Sequence, residues 1–544
     1  MNLIKKNKTR PTKEALLRQA VEENINPTDF RRRWLILITL CGSLLVVMLA
    51  NSALNLALPS IALATEATTT QLNWVVEIYS LIFAGLLFTA GAVGDRYGRK
   101  IFMQAGLVIF LLSSLYAGFI ATSIDELIFM RALMGIGGAM VMPTTLSILN
   151  VTFPSKQRTT AVAIWGAVAG AGVIIGMMIS GFLLEHFEWE SVFILTGAVA
   201  ALVLIANQIL TRESKDEEET KVDWLGGILS FLGLGALVFG LMESSHAEGW
   251  ANPIVWVALA VSALFLLAFV IWQKHTDHPM LDVDLFKHKR FTISVIVITL
   301  AFFAINGILF VMSQVLQIIL EYSPFESALA MLPIIAPLFI VAPLAPAMIR
   351  WVGEKWTLFL GVALVGAGFL TALYWPTDVQ YINIWLTMVL VLAGMQFAST
   401  PATNMILDSV PKNRSGMAAA MNDTTRELGG ALGIAILGSI MTSAYNSDVK
   451  TKLETLTQIP AEAKEHLSDS LAVALQVIQK LEEQGLQVGR LADDFKEYWL
   501  NGLNDGMLVA LIACAFCGAM VLFGLWKKPK KNVNPEVTEP TYEI

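Results

Sequence analysis

The chain has 544 residues, of which 55% are hydrophobic and only 15% are charged, and its formal net charge is −7. Long apolar runs recur along the whole length, which is the composition of a polytopic membrane protein and not of a soluble enzyme. The acidic residues cluster in polar loops, so the net charge gives no indication of a nucleic-acid partner. Cys41, Cys514 and Cys517 all lie in apolar segments and predict neither a disulfide framework nor a metal site.

A basic and polar segment, residues 1–33, precedes the first apolar run. It lacks the short apolar core and the small-residue cleavage site of a secretory signal peptide, so we expect a cytoplasmic tail. Within this tail, Lys13–Asn24 carries apolar residues on one side. That pattern fits either an interfacial helix or part of a disordered tail.

Fourteen apolar segments follow, each long enough to cross a bilayer as a helix of about 20 residues. They predict an all-α polytopic membrane protein. In chain order the segments are Trp34–Leu58, Leu72–Gly94, Ile101–Ala121, Leu127–Val151, Thr160–Leu184, Ser191–Leu210, Trp224–Met242, Pro253–Trp272, Phe291–Leu320, Ser327–Ile349, Trp356–Tyr374, Ile382–Ala402, Ser415–Ala444 and Gly506–Trp526.

Basic residues lie in every second loop between these segments. The loop Gly94–Lys100 contains Arg96, Arg99 and Lys100, whereas Ala121–Glu126 and Glu185–Glu190 contain no lysine or arginine. Because lysine and arginine are retained on the cytoplasmic side, this alternation predicts that the basic loops and both termini are cytoplasmic.

The segments also predict an organisation in five parts. One part, a second bundle of six helices near the end of the chain, contains a long external loop, residues 445–504. Within this loop, Ala461–Leu471 and Leu475–Gln484 have helical spacing. This loop fits either a small helical hairpin or a disordered segment. The parts are a cytoplasmic tail (1–33), a first six-helix bundle (34–211), an inserted two-helix segment (212–290), a second six-helix bundle (291–526) and a second cytoplasmic tail (527–544).

The stretch Gly91–Lys100 joins the second and third apolar segments and reads Gly-Ala-Val-Gly-Asp-Arg-Tyr-Gly-Arg-Lys. Its glycines permit a sharp bend, and its aspartate can cap the helix that follows. The pattern resembles the signature loop between the second and third helices of the major facilitator superfamily of transporters. This resemblance implies a conformational role for Gly91, Asp95, Arg96, Gly98, Arg99 and Lys100.

Other stretches carry the same resemblance. Arg131–Pro143 is similar to the fourth-helix motif of these transporters, and Arg350–Lys355 is similar to a degraded second copy of the signature loop, which indicates an internal repeat. A run of glycines resembles the fifth-helix motif of the proton-driven antiporters, where small residues let helices pack closely. These glycines are Gly166, Gly170, Gly172, Gly176 and Gly181.

The mid-chain pair of extra segments, the stretch Trp74–Leu81 and the large external loop resemble the fourteen-helix drug:proton antiporters of the QacA type. This resemblance implies a major facilitator fold of two six-helix bundles plus two helices, working as a monomer in the bacterial plasma membrane. It implies a proton-coupled antiporter that exports lipophilic, cationic drugs by alternating access, without a bound cofactor. Two alternatives stay open: an exporter of lipids or other amphiphiles, and a non-transporting receptor or scaffold.

Ionisable residues inside the segments are the candidates for coupling and substrate binding, because each costs at least ~2.5–3.5 kcal/mol in a membrane helix without a partner or a function. Glu77 and Arg131 can form an ion pair near the outer side. Asp423 and Glu427 share a helix face at i, i+4, and Arg426 can pair with Asp423 at i, i+3. Polar residues that are candidates for lining the cavity are Asn51, Asn55, Asn306, Gln314 and Gln317.

Catalysis has little support in the sequence. All six histidines fall in loops, and there is neither a nucleophile–base pair nor a phosphate-binding loop of the kind that an ATP-driven pump needs. Asn51 stands where the first helix of these antiporters usually carries an aspartate. That substitution favours the scaffold alternative, whereas Glu77, Asp423 and Glu427 favour a transporter.

Overall fold

The computed structural model describes residues 13–23, 25–215, 221–244, 249–376, 378–455, 467, 471–483 and 490–525. Within these ranges every regular element is helical. Fourteen of the described helices are long and apolar enough to cross a membrane. The predicted all-α fold with fourteen spans is therefore confirmed.

The α-helices are numbered here along the described part of the chain. Their bounds are α1 Lys13–Glu22, α2 Pro27–Ser52, α3 Leu54–Thr65, α4 Thr69–Tyr97, α5 Arg99–Phe119, α6 Ile124–Thr152, α7 Ser155–His186, α8 Glu190–Leu210, α9 Trp224–Glu243, α10 Pro253–His275, α11 Lys289–Gln314, α12 Pro324–Val352, α13 Glu354–Leu373, α14 Tyr381–Leu407, α15 Ser415–Thr455, α16 Leu471–Glu483 and α17 Leu491–Gly524.

Packing divides these helices into two bundles and a peripheral pair. Helices α2 and α4–α8 pack on one another, and α11–α15 pack with α17. Helices α9 and α10 pack together on the outside of the first bundle, where Phe239 of α9 stacks on Trp74 of α4 with ring centroids 5.9 Å apart. Most of α10 is exposed, as expected for an apolar helix that faces lipid.

The two bundles share a turn geometry that supports the interpretation of an internal repeat. Gly98, between α4 and α5, has φ +120°, and Gly353, between α12 and α13, has φ +89°. Side chains other than glycine are strained at such angles, so both turns require glycine. The α4–α5 turn is called the signature loop below, and its side of the membrane the loop side.

The N-terminal segment contains a helix, as one of the two interpretations of Lys13–Asn24 predicts. The first membrane helix starts at Pro27 instead of Trp34, and α1 forms a separate helix. Leu16 and Ala20 of α1 are buried against Ile25 and Phe30. This apolar contact gives α1 a docking surface on the start of α2, which explains why residues 13–22 are helical.

The predicted external loop is largely helical where the structure describes it. Helix α15 continues to Thr455 and α17 begins at Leu491, because Val449 and Leu453 are buried in the same apolar cluster as Phe495 and because Lys452 pairs with Asp494 at 2.7 Å. Helix α16 matches the predicted segment Leu475–Gln484, whereas most of Ala461–Leu471 lies outside the described residues. We call Tyr445–Thr455, α16 and residues 491–499 the outer stalk.

Candidate functional site

The polar centre of the molecule lies on α15. Asp423 is fully buried, and its Oδ1 accepts a hydrogen bond from Nδ2 of Asn422 at 3.0 Å. The same oxygen lies 3.7 Å from Nη1 of Arg426. The predicted i, i+3 ion pair is thus present. Glu427 is half-buried one residue further on and forms no hydrogen bond among the described residues.

Arg426 crosses the gap between the bundles. Its guanidinium carbon lies 4.7 Å from the ring centroid of Trp165 on α7 and 4.3 Å from that of Phe302 on α11. A cavity of about 10 Å³ remains beside it, which is far smaller than the roughly 300–1,000 Å³ of a drug-sized pocket. This cavity is lined by Val162, Trp165, Gly166, Phe302, Met395, Ser399, Thr400, Thr403 and Arg426.

The second intramembrane arginine is held differently from the prediction. Nε of Arg131 donates to the carbonyl of Val75 at 3.0 Å, Nη1 donates to the carbonyl of Ala50 at 2.9 Å, and the guanidinium lies 4.3 Å from the ring of Tyr79. Backbone carbonyls and an aromatic face therefore fix Arg131, instead of the suggested ion pair with Glu77. Glu77 itself is buried on α4.

The predicted cavity-lining residues are spread over several environments. Asn306 donates to the carbonyl of Phe302 on its own helix at 3.1 Å, and Gly430 of α15 approaches it closely. Asn51 and Gln314 are half-buried, whereas Gln317 is exposed in a π-helical turn that follows α11. The side chain of Asn55 lies outside the described residues.

The sequence interpretation missed Trp165, Phe302 and Gln396. Nε2 of Gln396 on α14 donates to the carbonyl of Ala163 on α7 at 2.7 Å, which joins the bundles beside the cavity. Trp165 lies next to Gly166, the first residue of the glycine run, and this neighbourhood was the only signal that pointed to it.

The glycine run of α7 packs on two sides. Gly172 and Gly176 face α2, where a Cβ atom at Gly172 would lie 2.9 Å from Cβ of Met48 and one at Gly176 would overlap Oγ of Ser52. Gly170 faces Leu338 of the second bundle, and Gly166 faces Gln396. Small residues thus bring α7 close both to its own bundle and to the other one.

On the loop side, Asp95 joins the bundles directly. Its Oδ1 lies 2.8 Å from Nε of Arg99, and its Oδ2 accepts a hydrogen bond from the amide of Gly416 at 2.7 Å, at the start of α15. Arg99 in turn donates to the carbonyls of Lys412 and Asn413 at 3.2 and 3.0 Å. The carboxylate of Asp95, the guanidinium of Arg99 and the start of α15 together connect the two bundles, and we call this group of contacts the latch.

We expect Asp95→Asn to reduce transport several-fold while the protein still reaches the membrane. An amide keeps the side-chain shape but removes the charge that holds Arg99 and faces the positive end of α15. Transport rates at matched membrane expression measure the effect. Asp125→Asn, in the first turn of α6 on the opposite side, serves as the control. Equal rates for Asp95→Asn and the control would contradict a latch role.

A second set of contacts joins the two bundles on the same side of the molecule. Nη2 of Arg158 on α7 lies 2.9 Å from Oδ1 of Asp408, which follows α14. Glu23, just after α1, accepts hydrogen bonds from the amide of Ser155 at 3.2 and 3.3 Å and from Nζ of Lys412 at 2.9 Å. The N-terminal helix therefore ties the start of α7 to the second bundle.

We expect Glu23→Gln to shift the conformational equilibrium slightly towards a state that is open on the loop side. The free-energy change should be about 1 kcal/mol or less, because the pair Glu23–Lys412 is partly exposed. Burial alone would raise the pKa of Glu23, but hydrogen bonds from Lys412 and Ser155 outweigh it and hold the pKa below its ordinary value of 4.5. The contact is therefore complete at neutral pH and is lost as the pH falls through that lowered pKa. Spin-label distances between the bundles measure the opening, and exposed Glu22→Gln is the control.

Comparisons with known proteins agree with this architecture. The Major Facilitator Superfamily model matches residues 40–434. The chain is 33% identical to the multidrug efflux pump LfrA of Mycolicibacterium smegmatis, over 85% of this chain and 92% of that protein. It is 28% identical to the methyl viologen resistance protein SmvA of Salmonella typhimurium, over 81% of this chain and 89% of that protein.

A solved structure shows the same fold. The human organic anion transporter MFSD10 superposes with a TM-score of 0.59 at 13% identity, over 91% of this chain and 100% of that one. The family model, the relatives and the two-bundle packing lead to the same result. The chain belongs to the Major Facilitator Superfamily of membrane transporters.

Proposed function

We propose that this protein is a proton-coupled antiporter that exports lipophilic cations by alternating access between its two bundles. The observation that carries the proposal is the position of Asp423, Arg426 and Glu427 on a single helix, α15, at the contact between the bundles. Ionisable groups at membrane depth are costly and mark ion and substrate pathways. The multidrug efflux pump and the methyl viologen resistance protein to which the chain is similar support an export role.

The proposed cycle uses two features of the structure. The contacts of Asp95, Arg99, Arg158 and Glu23 hold the loop side closed, so the described state is one in which substrate cannot enter from that side. Asp423 and Glu427 provide carboxyl groups whose protonation competes with the binding of a cationic substrate, and this competition couples export to proton entry. We expect this cycle to need neither a bound cofactor nor catalytic chemistry.

Substrate-dependent proton movement tests the proposal. Purified protein is reconstituted in proteoliposomes with an imposed pH gradient and a trapped pH-sensitive dye, and tetraphenylphosphonium, methyl viologen and a short-chain lipid are added separately. We expect the two cations to release protons across the membrane and the lipid to have no effect. Proton release by the lipid alone would favour an amphiphile exporter, and no release by any compound would contradict antiport.

We further propose that the loop side and both termini face the cytoplasm and that one chain is the transport unit, since both bundles that enclose the site belong to it. Single cysteines in a cysteine-free background, one at Tyr97 on the loop side and one at Asp448 in the outer stalk, test the orientation. We expect an impermeant thiol reagent to label Asp448→Cys on intact cells and Tyr97→Cys only after permeabilisation. The reverse pattern would overturn the orientation.

A further inference from the structure

Two aromatic rings from opposite bundles enclose a single positive charge. Trp165 belongs to α7 in the first bundle and Phe302 to α11 in the second, and the guanidinium of Arg426 lies between them at 4.7 and 4.3 Å. Trp165 is only 1% exposed, and its Nε1 donates to Oγ1 of Thr145 at 3.1 Å, which restrains the position of the indole. A pair of faces at this distance is the arrangement by which proteins recognise quaternary cations. We call Trp165 and Phe302 the aromatic clamp.

Apart from the clamp, Arg426 is poorly bound. Its nearest carboxylate oxygen, on Asp423, lies at 3.7 Å, which is too far for a hydrogen bond. Its Nε and Nη1 and the other carboxylate oxygen, Oδ2 of Asp423, are buried and have no hydrogen-bond partner among the described residues. A buried cation and a buried carboxylate are thus both incompletely paired, side by side.

Arg131 shows what a structural arginine looks like in the same protein. It is also fully buried and also lies on an aromatic face, but two of its nitrogens donate to backbone carbonyls at 2.9 and 3.0 Å. Arg426 lacks such anchors within the described part of the chain. Its guanidinium can therefore leave the clamp at a lower cost than that of Arg131.

The space beside the clamp is small. The remaining cavity measures about 10 Å³, which is room for about one water molecule and not for a drug. A substrate can lie between Trp165 and Phe302 only if Arg426 moves out. The nearest groups that can receive the displaced guanidinium are Asp423 and Glu427, on the same helix.

We propose that the aromatic clamp is the recognition site for permanently charged lipophilic cations and that Arg426 occupies it when no substrate is bound. This inference rests on the proposed export function and specifies its site. An entering cation replaces the guanidinium between Trp165 and Phe302, and Arg426 turns towards Asp423 and Glu427. A guanidinium at hydrogen-bond distance stabilises the ionised form of Glu427 as well as that of Asp423, so the proton on Glu427 leaves to water. Substrate binding and proton release are coupled through Arg426.

Equilibrium binding of radiolabelled tetraphenylphosphonium to the purified full-length protein tests the clamp. We expect Trp165→Leu to weaken binding by about tenfold, because it removes one desolvated ring face. Trp165→Phe keeps a ring but loses the hydrogen bond to Thr145, so we expect it to retain most of the affinity. If Trp165→Leu does not fold, Phe302→Leu makes the same test from the second bundle. Unchanged binding in the folded leucine variants would overturn the inference.

A double-mutant cycle separates the clamp from simple charge repulsion. Arg426→Gln removes the competing cation, and we expect it to tighten tetraphenylphosphonium binding about tenfold when Trp165 is present and hardly at all in the Trp165→Leu background. An equal gain in both backgrounds would mean that Arg426 acts only as a repelling charge, and the clamp proposal would be wrong.

The proposed function and the clamp fail in different ways. If the wild-type protein neither binds tetraphenylphosphonium nor releases protons with it, the export of cations is excluded and the clamp with it. If the wild-type protein binds and transports the cation but the Trp165 and Phe302 variants do so equally well, export stands and the clamp is excluded. Arg426→Lys, which keeps the charge but lacks a planar group, should bind with intermediate affinity.

Discussion

Replacement of Glu427 by glutamine is expected to lower proton-driven export of cations at least tenfold, while the protein still binds substrate. Glu427 forms no hydrogen bond among the described residues, whereas Asp423 is hydrogen-bonded to Asn422 and paired with Arg426. Of the two carboxyl groups at membrane depth on α15, Glu427 therefore has the greater freedom to exchange a proton. A tenfold loss corresponds to about 1.4 kcal/mol of the transport barrier. Substrate-dependent proton release in proteoliposomes measures the effect.

Two comparisons make this expectation specific. Glu185→Gln, at an exposed position near the end of α7, should behave like the wild-type protein. Glu77→Gln should mainly narrow the range of cations that are handled, because we propose that the buried Glu77 of α4 attracts cations near the outer side and does not carry the proton. If Glu427→Gln keeps full pH-dependent export and Glu77→Gln loses it, the proton carrier lies in the first bundle and the two assignments are exchanged.

Replacement of Gly91 by valine is expected to abolish turnover by preventing closure of the loop side. A Cβ atom at Gly91 would lie 2.6 Å from the carbonyl oxygen of Gly416 and 2.9 Å from Cβ of Ala420, both on α15. Backbone atoms cannot move aside as a flexible side chain can. Overpacking at Gly91 should therefore raise the free energy of the closed state by roughly 1–3 kcal/mol, and it should not affect a state in which α4 and α15 are apart. Such a difference shifts the equilibrium towards the open state by about 5- to 150-fold.

The position of the equilibrium can be read separately from membrane insertion. Spin labels on the loop-side ends of α4 and α15 should report a longer distance in Gly91→Val at unchanged expression. Gly518→Ala is the matched control, since its nearest neighbour would lie 3.6 Å away, an ordinary contact. Wild-type distances and wild-type transport in Gly91→Val would show that α4 and α15 do not need this close approach.

The number and nature of the membrane helices could be predicted from sequence because the bilayer imposes both. Hydrocarbon requires about 20 apolar residues per span, and every backbone group in it must be bonded within the helix. No such rule governs the chain outside the membrane. The starts of α2 at Pro27 and α17 at Leu491, and the end of α15 at Thr455, depend on packing between distant segments, so hydropathy placed them wrongly.

In the candidate site, too, contacts within one helix could be predicted from the sequence, whereas contacts between distant segments could not. The pair Asp423–Arg426 follows from helical spacing and could be predicted from one segment. Trp165 and Phe302 are far apart in the sequence and meet only through tertiary packing. Arg131 is anchored by backbone carbonyls. Because every residue has a carbonyl group, the residue types in a sequence do not indicate such a contact.

The outer stalk makes the second bundle accessible to direct measurement. Helix α15 has 41 residues and is therefore about 60 Å long, roughly twice the thickness of the hydrocarbon core. Because the helix is continuous, any tilt of the second bundle is magnified at the tip: a rotation of about 10° moves a point 30 Å beyond the membrane by about 5 Å. A fluorophore pair with one partner near Thr455 would follow each turnover of a single molecule, without a probe near Trp165 or Arg426.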